Sequence, residues 1–197
     1  METNYNPWRK DKDDSIVAIK TLELTILPEL ISKFTGINNC KIISIEKSED
    51  IVLTKFDQSS GIDLISQNNK GIQTIASRAQ WGKDYQSFTI RYERTSGSQT
   101  EYEKRLIAIK EGYDYPQLTM QAFFDDRKTN NLRSIGLIKT TDLYSFTEIN
   151  IDNPYLVHRK TSDNPFLTIY WKNLSGYKLE IYPIIEEEEI PEMYWNK

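Results

Sequence analysis

The stretch from residue 56 to residue 81, FDQSSGIDLISQNNKGIQTIASRAQW, carries the clearest strand-pairing pattern in the chain. Its apolar and β-branched residues predict one strand at 61–66 and a second at 71–80. The asparagine-rich residues 67–70 between them predict a turn. We therefore expect an antiparallel hairpin here and take it as the centre of the fold.

The second strand of this hairpin places polar side chains on one of its faces. Strand residues alternate between faces, so Ala76, Arg78 and Gln80 are expected to point the same way. Asp63 on the first strand then lies across from this set. The sequence therefore predicts an acid and a guanidinium side by side on neighbouring strands.

An acid facing a cation suits the metal-dependent hydrolysis of a phosphodiester. Carboxylates hold Mg²⁺, and a cation stabilises the charge on the phosphate. Asp63 and Arg78 supply one of each, and Asp57 joins them if the chain bends at Gly61. A plain cross-strand ion pair between Asp63 and Arg78 is the alternative interpretation.

The rest of the chain alternates between helical and strand patterns, which predicts an α+β fold with a mixed central sheet flanked by helices. Pro28 is expected to kink or split the first helix, Thr141 to cap the last helix, and a turn at Ser175-Gly176 to join the last two strands as a hairpin. The predicted helices are 15–34, 99–111 and 141–149, and the further strands are 41–46, 51–56, 87–94, 118–124, 134–139, 166–171 and 178–184.

The length and composition indicate one globular domain over residues 1–197, with a polar N-terminal arm at 1–14 and an acidic tail at 186–197. A net charge of −4 does not indicate bulk attraction to nucleic acid, but Glu186–Glu189 concentrates acid at one end. A locally basic groove is therefore still compatible with the sequence. The single cysteine excludes an internal disulfide and most cysteine zinc sites.

No apolar run approaches the roughly 20 residues that span a bilayer. The first residues also lack the apolar segment of a secretory signal. A cytoplasmic protein without a membrane partner is the expectation.

Two short motifs carry a family resemblance: Asp-x-x-x-Gly-Ile-Asp at 57–63, and Ile-x-x-Arg-x-Gln at 75–80. Together they resemble the core hairpin of the PD-(D/E)XK, or restriction-endonuclease-like, superfamily, as found in its degenerate phage and bacterial members. The order of the later elements also resembles that core, so the likeness covers about residues 40–125. It implies a nucleic-acid-acting nuclease-fold protein that uses Mg²⁺, in phage, mobile-element or defence biology.

The same resemblance assigns roles to individual residues. Asp63 takes the place of the metal-binding aspartate, with Asp57 as a further metal ligand, and Arg78 that of the catalytic lysine. Gln80 is the third catalytic candidate, beside Asp63 and Arg78. Ala76 departs from the pattern, because the family usually has Glu, Asp or Gln there, and arginine cannot replace lysine as a general base since it stays protonated. Other side chains that could compensate from nearby are Gln73 and Glu103.

These departures keep a second class of function open. A catalytically inactive module, which binds a protein partner or nucleic acid, fits the alanine, the acidic balance and the twelve tyrosines. It would be a structural component, a homo-oligomer, a subunit of a larger complex whose other chain completes the site, or an inhibitor that mimics DNA.

Overall fold

The structure is a computed structural model that describes residues 7–23, 25–45, 60–93, 98–160 and 165–183. The predicted strand at 51–56, Asp57 and the acidic tail lie outside these residues. The described helices are α1 (Pro7–Glu23), α2 (Ile26–Thr35), α3 (Glu101–Glu111), α4 (Thr140–Asn150) and a 3₁₀-helix (Trp171–Leu174). The strands are β1 (Lys41–Ser44), β2 (Leu64–Asn68), β3 (Gly71–Trp81), β4 (Ser87–Arg91), β5 (Leu118–Phe124), β6 (Leu132–Lys139), β7 (His158–Lys160), β8 (Phe166–Tyr170) and β9 (Leu179–Tyr182).

Six strands form a mixed central sheet in the order β1-β2-β3-β5-β6-β9. β2 and β3 make the predicted hairpin, with Leu64 opposite Ile75. β5 lies parallel to β3, and the other neighbouring strands are antiparallel. Because β3 and β5 are parallel, the chain crosses between them through β4 and α3. The predicted α+β class with a mixed sheet flanked by helices is therefore confirmed.

One face of this sheet packs against α1 and α2. Alternate residues of β3, Ile75 and Ala79 among them, join Leu27 and Ile31 of α2 in the same apolar core. This alternation sends the intervening residues Ala76, Arg78 and Gln80 to the opposite face, as predicted.

The opposite face is covered by a second sheet, which the sequence did not predict. β4, β8 and β7 form this three-stranded antiparallel sheet. It shares an apolar core with α3, α4 and the central sheet, in which Phe123 of β5 and Trp171 of the 3₁₀-helix have their rings 5.8 Å apart. Arg78 and its neighbours therefore lie between two layers and not on an open sheet face.

The predicted hairpin of the last two strands is wrong. β8 pairs with β4, whereas β9 pairs with β6 at the edge of the central sheet. The 3₁₀-helix between them buries Trp171 and Leu174 and carries the chain from one sheet to the other. The turn at Ser175-Gly176 therefore ends this helix and does not join paired strands.

The N-terminal helices begin and end differently from the prediction. α1 starts at Pro7, inside the predicted arm, because proline at the first helical position lacks only an amide that has no helical partner. The break between the two helices falls between Glu23 and Ile26, and Pro28 lies in the first turn of α2, where proline is tolerated. Gly36 ends α2 with a left-handed backbone, which glycine adopts without strain.

The caps of the two later helices differ. Thr100 and Glu103 form a reciprocal capping box at the start of α3. α4 instead has Lys139 at its N-cap position, with no side-chain hydrogen bond, so the predicted capping by Thr141 is wrong. Within the described ranges, no helix is long and apolar enough to cross a membrane.

Candidate functional site

A cleft of about 540 Å³ opens where the β2–β3 hairpin, β4, β5 and α3 meet. It is lined by both residues that the sequence analysis paired, Asp63 and Arg78. The cleft carries more cationic than anionic side chains. The cations are Arg78, Arg91, Lys104 and Arg105, and the anions are Asp63, Glu101 and Asp114.

Asp63 is fixed at the entrance to β2 by backbone hydrogen bonds. Its amide donates to the carbonyl of Ile75 at 2.9 Å, and its carbonyl accepts from Ile45 at 3.0 Å. The carboxylate Oδ2 accepts the backbone N–H of Ser77 at 2.5 Å. One carboxylate oxygen is therefore used in joining the two strands of the hairpin.

Arg78 makes its ion pair across the layers. Its Nη2 lies 2.6 Å from Oε2 of Glu101 on α3, and its Nη1 donates to the hydroxyl of Thr89 on β4 at 3.2 Å. Burial alone would lower the pKa of Arg78, but the charge and hydrogen bond of Glu101 raise it, and Asp63 adds a weaker attraction. The guanidinium is therefore a fixed cation in the cleft, and about a third of the side chain is exposed.

Glu101 contacts two of the basic residues of the cleft, Arg78 through its side chain and Arg91 through its backbone. The oxygen that binds Arg78 also accepts the backbone N–H of Arg91 at 3.3 Å. The guanidinium carbons of Arg78 and Arg91 each lie 5.7 Å from the ring centre of Phe166 on β8. Two guanidinium groups thus converge on one ring, which holds them at the wall of the cleft.

Arg105 closes the inner end of the cleft. It is 7% exposed, and its guanidinium donates to the carbonyls of Ser60 and Gly61, just before Asp63. Tyr144 of α4 lies against it. Burial raises the pKa of Tyr144, and the nearby Glu101 carboxylate raises it further, so its hydroxyl stays protonated. Arg105 therefore ties α3 to the segment that positions Asp63.

Lys104 supplies an exposed cation to the cleft. It is exposed on α3, one residue before Arg105, and lines the same cleft. No ion pair involves Lys104 among the residues that the structure describes. Its ammonium group is therefore available to an anion that enters the cleft.

The resemblance implies Mg²⁺, and the donor set that the described residues bring to the cleft does not fit a magnesium site. Asp63 uses one oxygen for Ser77, Glu101 is held by Arg78, and Ala76 offers no ligand. No group of three or more His, Cys, Asp or Glu side chains is arranged to hold a metal in the described part of the chain. Asp57, the other predicted ligand, lies outside that part.

The remaining sequence candidates fall in different places. Gln80 shares the face of Arg78 but is not among the residues that line the cleft. Gln73 lines a separate cavity near α2, and Glu103 is used in the capping box. Neither one stands in for the carboxylate missing at Ala76.

Glu101, Lys104 and Gln121 line the cleft but were not predicted from the sequence, although Glu101 and Gln121 lie in recognisable patterns. Thr100-x-x-Glu103 is a capping-box pattern, so Glu103 could have been assigned to the helix end and Glu101 to the face beside it. Gln121 is a lone polar residue in the apolar strand LTMQAFF. A buried polar side chain in such a strand points to a specific partner.

Comparison with protein-family models, with curated proteins and with solved structures finds no match to this chain.

Proposed function

We propose that this protein acts on nucleic acid through a nuclease-like core and holds the phosphodiester backbone in the cleft between β3, β4 and α3. The observation that carries the proposal is the cleft wall, where Arg78, Arg91 and Lys104 meet beside the hairpin. Arginine and lysine are the main binders of backbone phosphates, and arginine does so through two parallel donors.

The distribution of charge supports this proposal despite the net charge of −4. Residues 184–197 contain five of the 29 acidic residues and one of the 25 basic residues. The remaining chain therefore carries equal numbers of acidic and basic residues. Within it, the cleft has four cations and three anions and is locally positive. Local potential, not net charge, draws a polyanion to a groove.

The order of elements also supports a restriction-endonuclease-like core. Asp63 immediately precedes β2, Arg78 lies on β3, β4 and α3 follow, and β5 returns parallel to β3. This is the order that the resemblance leads us to expect over residues 40–125. Binding fits the described side chains better than hydrolysis, because the donor set beside Asp63 does not fit a magnesium ion.

The substitution Asp63→Asn separates binding from hydrolysis. It keeps an oxygen that accepts the Ser77 N–H and removes one negative charge from the cleft. For a protein that binds phosphate, we expect the affinity to rise about fivefold, because the substitution removes the repulsion between the carboxylate and a bound phosphate. This repulsion is about 1 kcal/mol for two charges about 4 Å apart in water. The measurement is fluorescence anisotropy with labelled single- and double-stranded DNA and RNA in EDTA.

The matched control is Asp152→Asn, which removes an exposed carboxylate at the end of α4, and it should leave the affinity unchanged. The same oligonucleotides are then incubated with Mg²⁺ or Mn²⁺. Cleavage by the wild type that Asp63→Asn abolishes would replace binding by metal-dependent hydrolysis as the function. Weaker binding by Asp63→Asn in EDTA would contradict the proposal.

A catalytically inactive module for a protein partner is the second candidate. Large apolar side chains are exposed around the end of α4, where Ile149 is 78% and Tyr155 84% exposed. Exposed tyrosine and isoleucine are more typical of protein interfaces than of phosphate grooves. An absence of nucleic-acid binding at low salt would favour this candidate.

A further inference from the structure

Gln121 occupies the floor of the cleft and lies directly opposite Arg78. The two residues are register partners on the parallel strands β5 and β3, so their side chains share one face of the sheet. Gln121 is 1% exposed, yet it is among the residues that line the cleft. A polar amide in this position is nearly removed from water.

One end of the Gln121 amide is fixed by a relay that begins at Arg78. Arg78 Nη1 donates to the hydroxyl of Thr89, and this hydroxyl donates its proton to Oε1 of Gln121 at 3.1 Å. Arg78 can only donate, so the Thr89 hydroxyl accepts from Arg78 and has its own proton to give to Oε1. The relay turns the amide so that Oε1 faces Thr89 and Nε2 lies away from it.

The other end of the amide has no partner. Nε2 of Gln121 is buried and makes no hydrogen bond to any residue that the structure describes. A buried donor without an acceptor costs about 1–3 kcal/mol, so its presence calls for an explanation. In a cleft with more cations than anions, this donor suits an acceptor that an anionic ligand brings with it.

We propose that Gln121 donates a hydrogen bond through Nε2 to a non-bridging phosphate oxygen of the bound nucleic acid, beside the guanidinium of Arg78. This assignment rests on the proposed function. It adds a neutral hydrogen-bond donor to the charged side chains of the cleft wall. A phosphate oxygen is a suitable acceptor because it can be held by a guanidinium and an amide together. The hydrogen bond forms where water is largely excluded, which strengthens it.

Gln121→Met tests this donor, since methionine has a similar length and cannot donate. We expect the dissociation constant of a labelled 20-nucleotide oligonucleotide to rise about tenfold to a hundredfold, the range for one hydrogen bond to a charged group. The slope of log K against log salt should stay unchanged, because a neutral side chain releases no counterions. The loss should be equal for oligonucleotides of different base composition.

Two further variants serve as a control and as a stronger perturbation of the same donor. Gln80→Met alters a glutamine on the same face of β3 but outside the cleft, and it should bind like the wild type. Gln121→Glu keeps the shape and the acceptor for Thr89 but replaces the donor with a negative charge, and it should weaken binding more than Gln121→Met does. Thermal unfolding should show Tm within about 4 °C of the wild type for Gln121→Met and Gln80→Met.

The outcomes separate this assignment from the proposed function. If the wild type binds and both Gln121 variants bind equally well, the Gln121 assignment is overturned and phosphate binding in the cleft stands. A loss restricted to one base composition overturns the phosphate oxygen as the acceptor. If the wild type binds no oligonucleotide at low salt, the proposed function fails and takes this assignment with it.

Discussion

Replacing Gly136 with alanine should destabilise the protein by about 1–3 kcal/mol, the usual cost of overpacking a core. Gly136 lies on β6 opposite Gln121, and an added Cβ would stand 2.6 Å from the ring of Trp171. Trp171 is 3% exposed and lies between Phe88 and Phe123, with ring centres 5.9 and 5.8 Å away. The ring has little room to move.

This substitution tests how the two sheets are joined. Trp171 fits against the central sheet only because position 136 has no side chain. Urea unfolding measures the loss in the free energy of unfolding. Gly176→Ala is the control, since nothing lies within 4 Å of an added Cβ there, and it should change stability by no more than about 0.5 kcal/mol. Equal stability of both variants would contradict the observed packing of Trp171.

Arg105→Met should cost about 2–3 kcal/mol of stability. Hydrogen bonds to a charged group contribute about 1.5–3 kcal/mol, and the substitution leaves the carbonyls of Ser60 and Gly61 without this donor. Methionine preserves much of the apolar length of the side chain, so the loss reports mainly on the guanidinium. The position is 7% exposed, which limits replacement of the donor by water.

The neighbouring residue provides the control for this prediction. Lys104→Met removes a cation from the same helix and the same cleft. Because Lys104 is exposed, the free energy of unfolding of this variant should differ from that of the wild type by no more than about 0.5 kcal/mol. The comparison uses urea unfolding of the two variants and the wild type. A larger loss for Lys104→Met than for Arg105→Met would contradict the assignment of Arg105 as the link between α3 and the Asp63 segment.

The hairpin could be predicted because local rules determine it. Alternation along β3 fixed which face carries Arg78, and the polar turn at 69–70 fixed the pairing with β2. The end of α3 at Gly112 is equally local, because its left-handed backbone suits glycine. Asp63 and Arg78 therefore fall in one cleft, as expected from the chain alone.

The second sheet could not be predicted in the same way. β4 alternates like any half-buried strand, and alternation does not tell which sheet a strand joins. β8 and β9 looked like a hairpin because of the turn between them. Their separation depends on Trp171 packing at Gly136, a contact between residues 35 positions apart that no local pattern encodes.

The partner of Arg78 was missed for a related reason. Asp63 is near in the predicted hairpin, so the ion pair was sought there, whereas the structure pairs Arg78 with Glu101 across the layers. Only the placement of α3 over the hairpin brings Glu101 within reach. This ion pair weakens the interaction of Arg78 with a phosphate, because a guanidinium already paired with one carboxylate attracts a phosphate less than a free one.

The most direct test of phosphate binding in the cleft is the salt dependence of oligonucleotide affinity for wild type and Lys104→Gln. Each phosphate contact contributes a slope of about −0.7 in log K against log salt for single strands and about −0.9 for duplex DNA. Lys33→Gln on α2, which is paired with Glu29, is the matched charge control. We predict that Lys104→Gln makes the slope shallower by about one contact and that Lys33→Gln leaves it unchanged. Identical slopes for all three proteins would contradict the assignment of this cleft as the nucleic-acid site.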